Sequence, residues 1–511
     1  MSYRMMFGTL LFFCAVCLCW GSRVLVVSPV PSRSHQQLTD SIVKTLLDAG
    51  HEVTYINRLT EMKRKRLKVI TVRPEDGQEL DVNDLIERHH TSHKTLELGV
   101  VLAKQVIKNE KVRELLQDNQ ETFDTVIAEW YYTGLLAPLA AVFECPLIWY
   151  TACDASWMTS QLMLEQTSPV YSTDLLSSEA ALPPYGFRER VMRLARQVYL
   201  SGWITYMIHY VESPAYYELY QSVLQHRGLS PSQYETVLYN ASLLLINSDP
   251  EIGQILPLPP NAKYVGGHHI ELPSKTLPQN LQDLLDNAKH GAILFSTDSK
   301  VLPWYVKRTL LHVFSQFDQI TMWETGEQLT DIPDNVYVFK QLPRLRVLNH
   351  NNTVLLITNG GTTSLLEAAY FGVPVIGIPL YQDQFVTMDL AHARRRGIKV
   401  KFSEHIAQKI KDSVNKILSN NSYHKNAKKA SIYLQSTLEP QRQILHWIEL
   451  VIKTGGAPQL RSPVLLQLTT LQMLNIDVLL LLFMFVWFLS KVLKVIQVHW
   501  RADVLDNKKN D

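Results

Sequence analysis

Apolar residues along the chain fall into short unbroken runs separated by stretches of helical period, an alternation that predicts strand, loop, helix, strand units. The clearest is Thr353 to Gln384, TVLLITNGGTTSLLEAAYFGVPVIGIPLYQDQ. It reads as a buried strand over Val354 to Thr358, a Gly-Gly turn, a helix opening near Thr363, a Gly-Val-Pro break, a strand over Val375 to Ile378 and a polar loop. In such a unit the helix N-terminus lies at the carboxyl end of the sheet, where free backbone N–H groups and the helix dipole favour an anion such as a phosphate. Gly360 and Gly361 let the backbone come close there.

The chain begins with the same pattern. RVLVVSP, from Arg23, predicts a buried strand, PSRSHQQ a loop, Leu38 to Ala49 a helix closed by Gly50, and HEVTYIN the next strand. A helical region follows over Glu87 to Gln117, then the strand FDTVIAEW, an apolar helix over Leu135 to Phe143 and the strand PLIWYT. This places His35 in a loop at the carboxyl edge of the sheet and Glu129 at the end of a neighbouring apolar strand. A carboxylate there either orients a histidine base or caps a helix, and pairing Glu129 with His35 is sterically reasonable.

Pro169 to Gly228, rich in Tyr, Trp, Met and Leu among Arg and Glu, predicts helices and loops over one face, either binding an apolar ligand or packing a core. After the strand SLLLINSDP, the turn-rich NAKYVGGHHIELPSKTLPQ reads as a linker. The pattern then restarts with GAILFSTDS, a helix over Pro303 to Phe317, QITMWE and VYVFKQLP. Two α/β halves result, over 23–270 and 271–460.

A length of 511 residues suits several domains, and a formal net charge of +2 excludes the basic field of a nucleic-acid binder. The N-terminal MSYRMMFGTLLFFCAVCLCWGS, with Arg4 before an apolar run and small residues after it, predicts a secretory signal peptide over 1–22. Its removal leaves Cys145 and Cys153, too few for a disulfide framework but compatible with one bridge or with two buried thiols. Val478 to Leu489, extended by Val492, Leu493, Val495 and Ile496, predicts a transmembrane helix over 476–496. Lys491, Lys494, Arg501, Lys508 and Lys509 assign the tail 497–511 to the cytosol and the body to the lumen. The terminal KKND resembles a dilysine retrieval signal of the endoplasmic reticulum. Asn240, Asn351 and Asn420 are sequons, Asn240 and Asn420 being favoured because Asn351 borders the Thr353 to Gln384 stretch. His89, His90 and His93 read as a solvated helix or loop rather than a metal site.

Taken together, the PSRSH loop, NSDPEI, VGGHHI, the FS-x-x-S loop, the signature from Phe339 to Gln384, the single span and the basic tail resemble the membrane-anchored UDP-glycosyltransferases, most closely their insect branch. The resemblance implies the GT-B fold, two Rossmann-like domains facing across a cleft, the first binding an acceptor and the second a UDP-sugar. It implies that His35 is the general base, with Glu129 in the place of an orienting aspartate. It further implies that Gly360, Gly361 and Ser364 bind the diphosphate, that Glu367 accepts from the ribose hydroxyls, that Asp383 and Gln384 hold the sugar, and that Ser299, Gln341, Arg344, Asn359 and Thr363 also belong to the donor site. No cofactor or metal is implied; the partners are a UDP-sugar, a small lipophilic acceptor and a membrane, without nucleic acid, and a homo-oligomer is compatible. The chain departs from the family pattern at Asp298 in place of glycine, Gln341 in place of the tryptophan that stacks on uracil, Arg344 in place of glutamine, Asn359 in place of histidine and Thr363 in place of asparagine. The reaction expected is inverting transfer of a hexose, glucose rather than glucuronate, to a hydroxyl. The alternative is a non-catalytic relative with a weakened donor site that binds partners or ligands.

Overall fold

The β-branched run RVLVV forms β1 (Arg23–Val27), followed by α1 (Arg33–Asp48), β2 (Glu52–Asn57), β3 (Leu67–Thr71), α2 (Ser92–Lys108), α3 (Glu110–Gln117), β4 (Thr125–Glu129), α4 (Pro138–Val142) and β5 (Leu147–Thr151). The first half continues with α5 (Trp157–Leu162), α6 (Phe187–Met207), a π-helical turn (Ile208–Glu212), α7 (Ser213–His226), α8 (Tyr234–Leu238), β6 (Leu243–Ile246) and β7 (Ala262–Tyr264). The structure, a computed structural model, describes residues 21–60, 62–73, 92–172, 174–177, 182–271, 277–297, 302–381, 383–462, 464, 467–468, 470–473 and 475–510. The expected signal peptide up to residue 20, Asp298, Ser299, His89 and His90 lie outside them.

The seven strands are all parallel, in the order β3-β2-β1-β4-β5-β6-β7. Apolar clusters cover both faces of this sheet, which is why its strands read as continuous hydrophobic runs rather than alternating ones. The second half holds α9 (Gln279–Asp286), β8 (Ala292–Ser296), α10 (Trp304–Phe314), β9 (Ile320–Glu324), β10 (Val336–Phe339), α11 (Arg344–Asn349), β11 (Thr353–Thr358), α12 (Thr362–Phe371), β12 (Val375–Gly377), α13 (Asp383–Ala393) and β13 (Gly397–Lys399). Its six strands are again parallel, in the order β10-β9-β8-β11-β12-β13. Strand order reverses between β1 and β4 in one sheet and between β8 and β11 in the other, so each half has a crevice at the carboxyl ends of those strands.

Three helices follow, α14 (Ile406–Ser419), α15 (Ser422–Ser436) and α16 (Pro440–Lys453). The first two pack on the second half. α16 does not: its Ile444, Ile448 and Val451 are fully buried among Val24, Val26, Leu38 and Ile42 of the first. Their i, i+4, i+7 spacing puts them on one face, and burying each stabilises by roughly 1.5–3 kcal/mol. The stretch 271–460 therefore ends in a helix that completes the first sheet's core.

Several elements differ from their expected bounds: the stretch read as a linker contains β7, the helix expected over Pro303 to Phe317 is Trp304–Phe314, and two helices near the first sheet's carboxyl edge shift for a readable reason. The first helix starts at Arg33, not Leu38, because Ser32 adopts the extended N-cap geometry and its carbonyl takes the first helical bond from Gln36 N–H. Its polar first turn, RSHQ, has no apolar period and so reads as loop. The helix expected over Leu135 to Phe143 shrinks to Pro138–Val142, with Pro138 at its start. Cys145 and Cys153 carry free thiols, which removes the disulfide alternative.

The C-terminal segment is a separate unit from residue 461. It contains α17 (Thr470–Met473) and α18 (Ile476–Asn510). Within α18, Ile476–His499 spans 24 residues at mean hydropathy 2.3, long and apolar enough to cross a membrane.

Candidate functional site

β1 pairs directly with β4, and this brings the first turn of α1 to the end of β4 at the switch point of the first sheet. There His35 Nδ1 is hydrogen-bonded to Glu129 Oε1. Ser28 Oγ, just past β1, donates to Glu129 Oε2 at 2.5 Å. Glu129 is almost completely buried, and a carboxylate at that depth requires such partners. The extra methylene of glutamate over aspartate does not break the pair. With Nδ1 engaged, Nε2 is the nitrogen left for chemistry. The ring of His35 lines a cavity together with Trp130, Tyr131, Tyr132, Cys153 and Leu175, and Tyr131 meets it edge-on at 5.9 Å.

Burial alone pulls the His35 pKa down, but the Glu129 charge, its hydrogen bond and the charge of Asp383 outweigh it, so the imidazole titrates above 6.5. An imidazole must be neutral to accept a proton, and His35 becomes so only as pH rises through that raised value. The pair's contribution to stability is fully present below 6.5 and is lost as pH rises through the folded value. Glu129→Gln removes the charge and leaves the desolvation. It is expected to move the ascending limb of the kcat/KM profile about one unit toward acid and to lower its plateau on the order of a hundredfold. An unmoved limb would show that Glu129 does not govern His35.

In the second half, β11 ends in the Asn359-Gly360-Gly361 turn that opens α12. Gly360 has φ +84°, and a Cβ there would lie 2.3 Å from Met388 Cγ, so both backbone and space demand glycine. At Gly361, the N-cap, a Cβ would have nothing closer than Gln384 Cγ at 4.0 Å, which leaves the approach open. Thr363 and Ser364 are half-buried in the first turn of α12.

Asp383 and Gln384, at the start of α13, are brought to this turn, but Asp383 Oδ2 and Gln384 Oε1 already have partners. Asp383 Oδ2 accepts from Thr362 Oγ1 at 2.8 Å and Thr362 N–H at 3.3 Å. A carboxylate thus sits at the helix N-terminus, the place suited to an anion. Gln384 Oε1 accepts from the backbone of Leu380 at 2.9 Å and Tyr381 at 3.4 Å. Burial raises the Asp383 pKa, which its bonds to Thr362 and the charge of His35 partly oppose. His35 of one half and Asp383 of the other therefore feel each other electrostatically.

Glu367, on the buried side of α12, is also engaged. Arg344 Nη2 donates to Glu367 Oε1 at 2.9 Å, and Arg344 Nε lies 2.6 Å from Oε2, an ion pair with one hydrogen bond. His269 Nε2 stands 3.3 Å from the same Oε1. Burial favours the neutral acid, yet Arg344 and His269 prevail and hold the carboxyl below its usual 4.5. Arg344, which stands where the family pattern has glutamine, neutralises Glu367. Gln341 is exposed.

A sequence model of the family UDP-glucoronosyl and UDP-glucosyl transferase matches residues 22–510. The chain belongs to that family. Similar curated proteins include UDP-glycosyltransferase UGT4 of Dactylopius coccus, 24% identical over 495 residues covering 93% of this chain and 94% of the relative. UDP-glucosyltransferase 2 of the same insect is 25% identical over 462 residues, 86% of each chain. Among solved structures, CalG4, the calicheamicin glycosyltransferase, matches with a TM-score of 0.57 at 16% identity over 84% of this chain and 98% of its own. That likeness carries the GT-B fold. The protein is a UDP-glycosyltransferase, and its family transfers sugar from a UDP-sugar to an acceptor.

Two buried polar residues, His269 and Asp154, have no part in the sequence expectations. His269 lay within a stretch read as linker. Its signal is the Gly-Gly before it: a Cβ on Gly266 would clash with the Ser248 backbone at 2.6 Å, and Gly267 has φ +87°. That turn delivers His268 to Tyr150 Oη at 3.1 Å and His269 to Glu367. Asp154, fully buried beyond β5, accepts from the backbone of Ala155 and Gln254, both at 2.8 Å, and burial pushes its pKa up to about 6. Asn240, Asn351 and Asn420 are all exposed. His93 packs edge-on against Tyr199 and Trp203, an ordinary aromatic contact.

Proposed function

We propose that this UDP-glycosyltransferase moves a hexose, glucose in preference to glucuronate, from a UDP-sugar to a hydroxyl of a small lipophilic acceptor with inversion at the anomeric carbon. The observation that carries this is the His35–Glu129 pair opening onto an aromatic cavity. His35 Nε2 takes the hydroxyl proton as the oxygen attacks, and Glu129 holds Nδ1–H and balances the imidazolium charge. The aromatic walls suit an apolar acceptor. At the other half, the first turn of α12 stabilises the charge that develops on UDP as it leaves, and Asp383 and Gln384 exchange their internal partners for sugar hydroxyls. This route requires no metal. Likeness to an insect UDP-glucosyltransferase supports glucose.

The reading extends to location. Residues 1–22 are a cleaved signal peptide, 476–496 the span of a type I protein of the endoplasmic reticulum, and the body is luminal, with glycans at Asn240 and Asn420. Exposure of both sequons and the length of the apolar helix support this.

One observation favours the alternative, a non-catalytic relative: the Arg344–Glu367–His269 cluster occupies the carboxylate expected to hold ribose. Calorimetry of the full chain with UDP, UDP-glucose and UDP-glucuronate decides between them. Binding below about 1 mM, some 4 kcal/mol or better, with UDP-glucose tighter than UDP-glucuronate, is the expected result. No heat from any of the three at millimolar concentration would leave the non-catalytic reading standing.

A further inference from the structure

Strand β6 runs on into residues 249–254, which the chain ties to the first half: just before them, Asn247 N–H donates to Thr151 O and Asn247 Nδ2 to Ala152 O at 3.0 Å. The second half nevertheless grips this segment. Arg394, just past α13, donates through Nη2 to the carbonyls of Gly253 at 2.9 Å and Pro250 at 3.2 Å, and through Nη1 to that of Glu251. Arg396 donates to the same Glu251 carbonyl at 2.5 Å, and its Nη1 stands 3.4 Å from the Glu251 carboxylate. Between these arginines Ile252, 3% exposed, enters the apolar cluster of the second half. There it lines a cavity of about 20 Å³ with Leu365, Ala368 and Ala369 of α12 and Ala391 of α13. The other side of the segment is fastened to the first half. Asp154 Oδ2 accepts from Gln254 N–H at 2.8 Å, and a Cβ on Gly253 would lie 2.2 Å from Asp154 Oδ1, so only glycine fits.

Cys153 and Ser156, on either side of Asp154 in the chain, line the His35 cavity, whereas α12 and α13 begin at the Gly-Gly turn and at Asp383. One short segment thus joins the wall of that cavity to both helices of the donor turn. Transfer between groups carried on separate halves depends on their spacing, and an error of about 1 Å can cost about a hundredfold in rate. The fastening is of a kind that opens. The arginines hold backbone carbonyls, which water can serve once they are exposed. Ile252 is the one branched apolar side chain of the segment, and the space left beside it means that it forfeits fewer contacts on leaving than a tightly packed residue does. Helix α16, with three fully buried apolar side chains, is by contrast a permanent attachment.

We propose that residues 249–254 are a latch, closed by Ile252 and Arg394, that sets the spacing of the two halves, so that both side chains are positioning residues for sugar transfer. This rests on the transfer reaction proposed above. The full chain carries spin labels on genetically encoded residues at exposed Glu110 of α3 and exposed Asp412 of α14, and pulsed electron resonance reads the distance between them. Arg394→Ala frees the latch from the second half, and Gly253→Ala pushes it off Asp154 in the first. Each is expected to add a population at longer distance and to lower kcat for glucose transfer from UDP-glucose to naphthol at least about tenfold. UDP affinity is expected to stay within about twofold, because the nucleotide turn lies wholly in the second half. Arg394→Lys, which keeps a charged donor, should recover part of both losses. A lowered kcat with the parent's distance in both alanine variants would overturn the latch. A fall in UDP affinity as large as the fall in kcat would also overturn it, making Arg394 a local support of α13. A parent that binds UDP yet transfers no glucose would overturn the reaction, and this role with it.

Discussion

Replacing His35 with alanine is expected to lower kcat by about 10²- to 10⁴-fold while UDP affinity stays nearly unchanged. The division follows from position. His35 belongs to the first half, where Nδ1 is hydrogen-bonded to Glu129 and Nε2 is free to receive a proton, whereas the phosphate-friendly turn lies in the second. The substitution also leaves Glu129 with Ser28 as its remaining side-chain partner. Thermal unfolding of the variant separates that structural effect from the catalytic one. Equal loss of UDP affinity and turnover would place His35 in the nucleotide site rather than at the acceptor.

Arg344→Gln is expected to move stability and nucleotide affinity in opposite directions. The Glu367 carboxylate is fully buried, and breaking a buried pair by removing one partner costs about 3 kcal/mol. Freed from Arg344, Glu367 can accept from ribose hydroxyls, and one or two added hydrogen bonds tighten UDP binding about tenfold. Denaturant titration and calorimetry on the same sample read both effects. The stability loss carries a pH signature. Because the Glu367 carboxyl is held below 4.5, the pair stabilises fully above that value and loses its contribution as pH falls through the lower folded value. Parent and variant should therefore converge in acid. A parallel fall in stability and UDP affinity would instead mean that Arg344 holds the nucleotide itself.

The two sheets were legible because their strands are buried on both faces and read as continuous apolar runs. The His35–Glu129 pair was legible because β1 and β4 are adjacent parallel strands, and this topology brings the segment that follows β1 to the end of β4. What the sequence hid depends on side-chain choices among alternatives. Arg344, Glu367 and His269 come from three separated segments, and no local pattern states that the arginine will prefer Glu367 to an acid nearer in sequence. Asp383 likewise could face solvent or cap α12, and it is the hydroxyl of Thr362 that settles the matter. Helix α16 shows a clear amphipathic period, but periodicity does not say which of two sheets the apolar face will meet.

That last helix ties the order of synthesis to the order of folding. The first sheet emerges from the ribosome early, yet Ile444, Ile448 and Val451, which close one of its faces, are made only after the whole second half. Until then the nascent first half presents an open apolar face that a chaperone can hold. A chain stopped anywhere before residue 440 cannot complete the core behind α1.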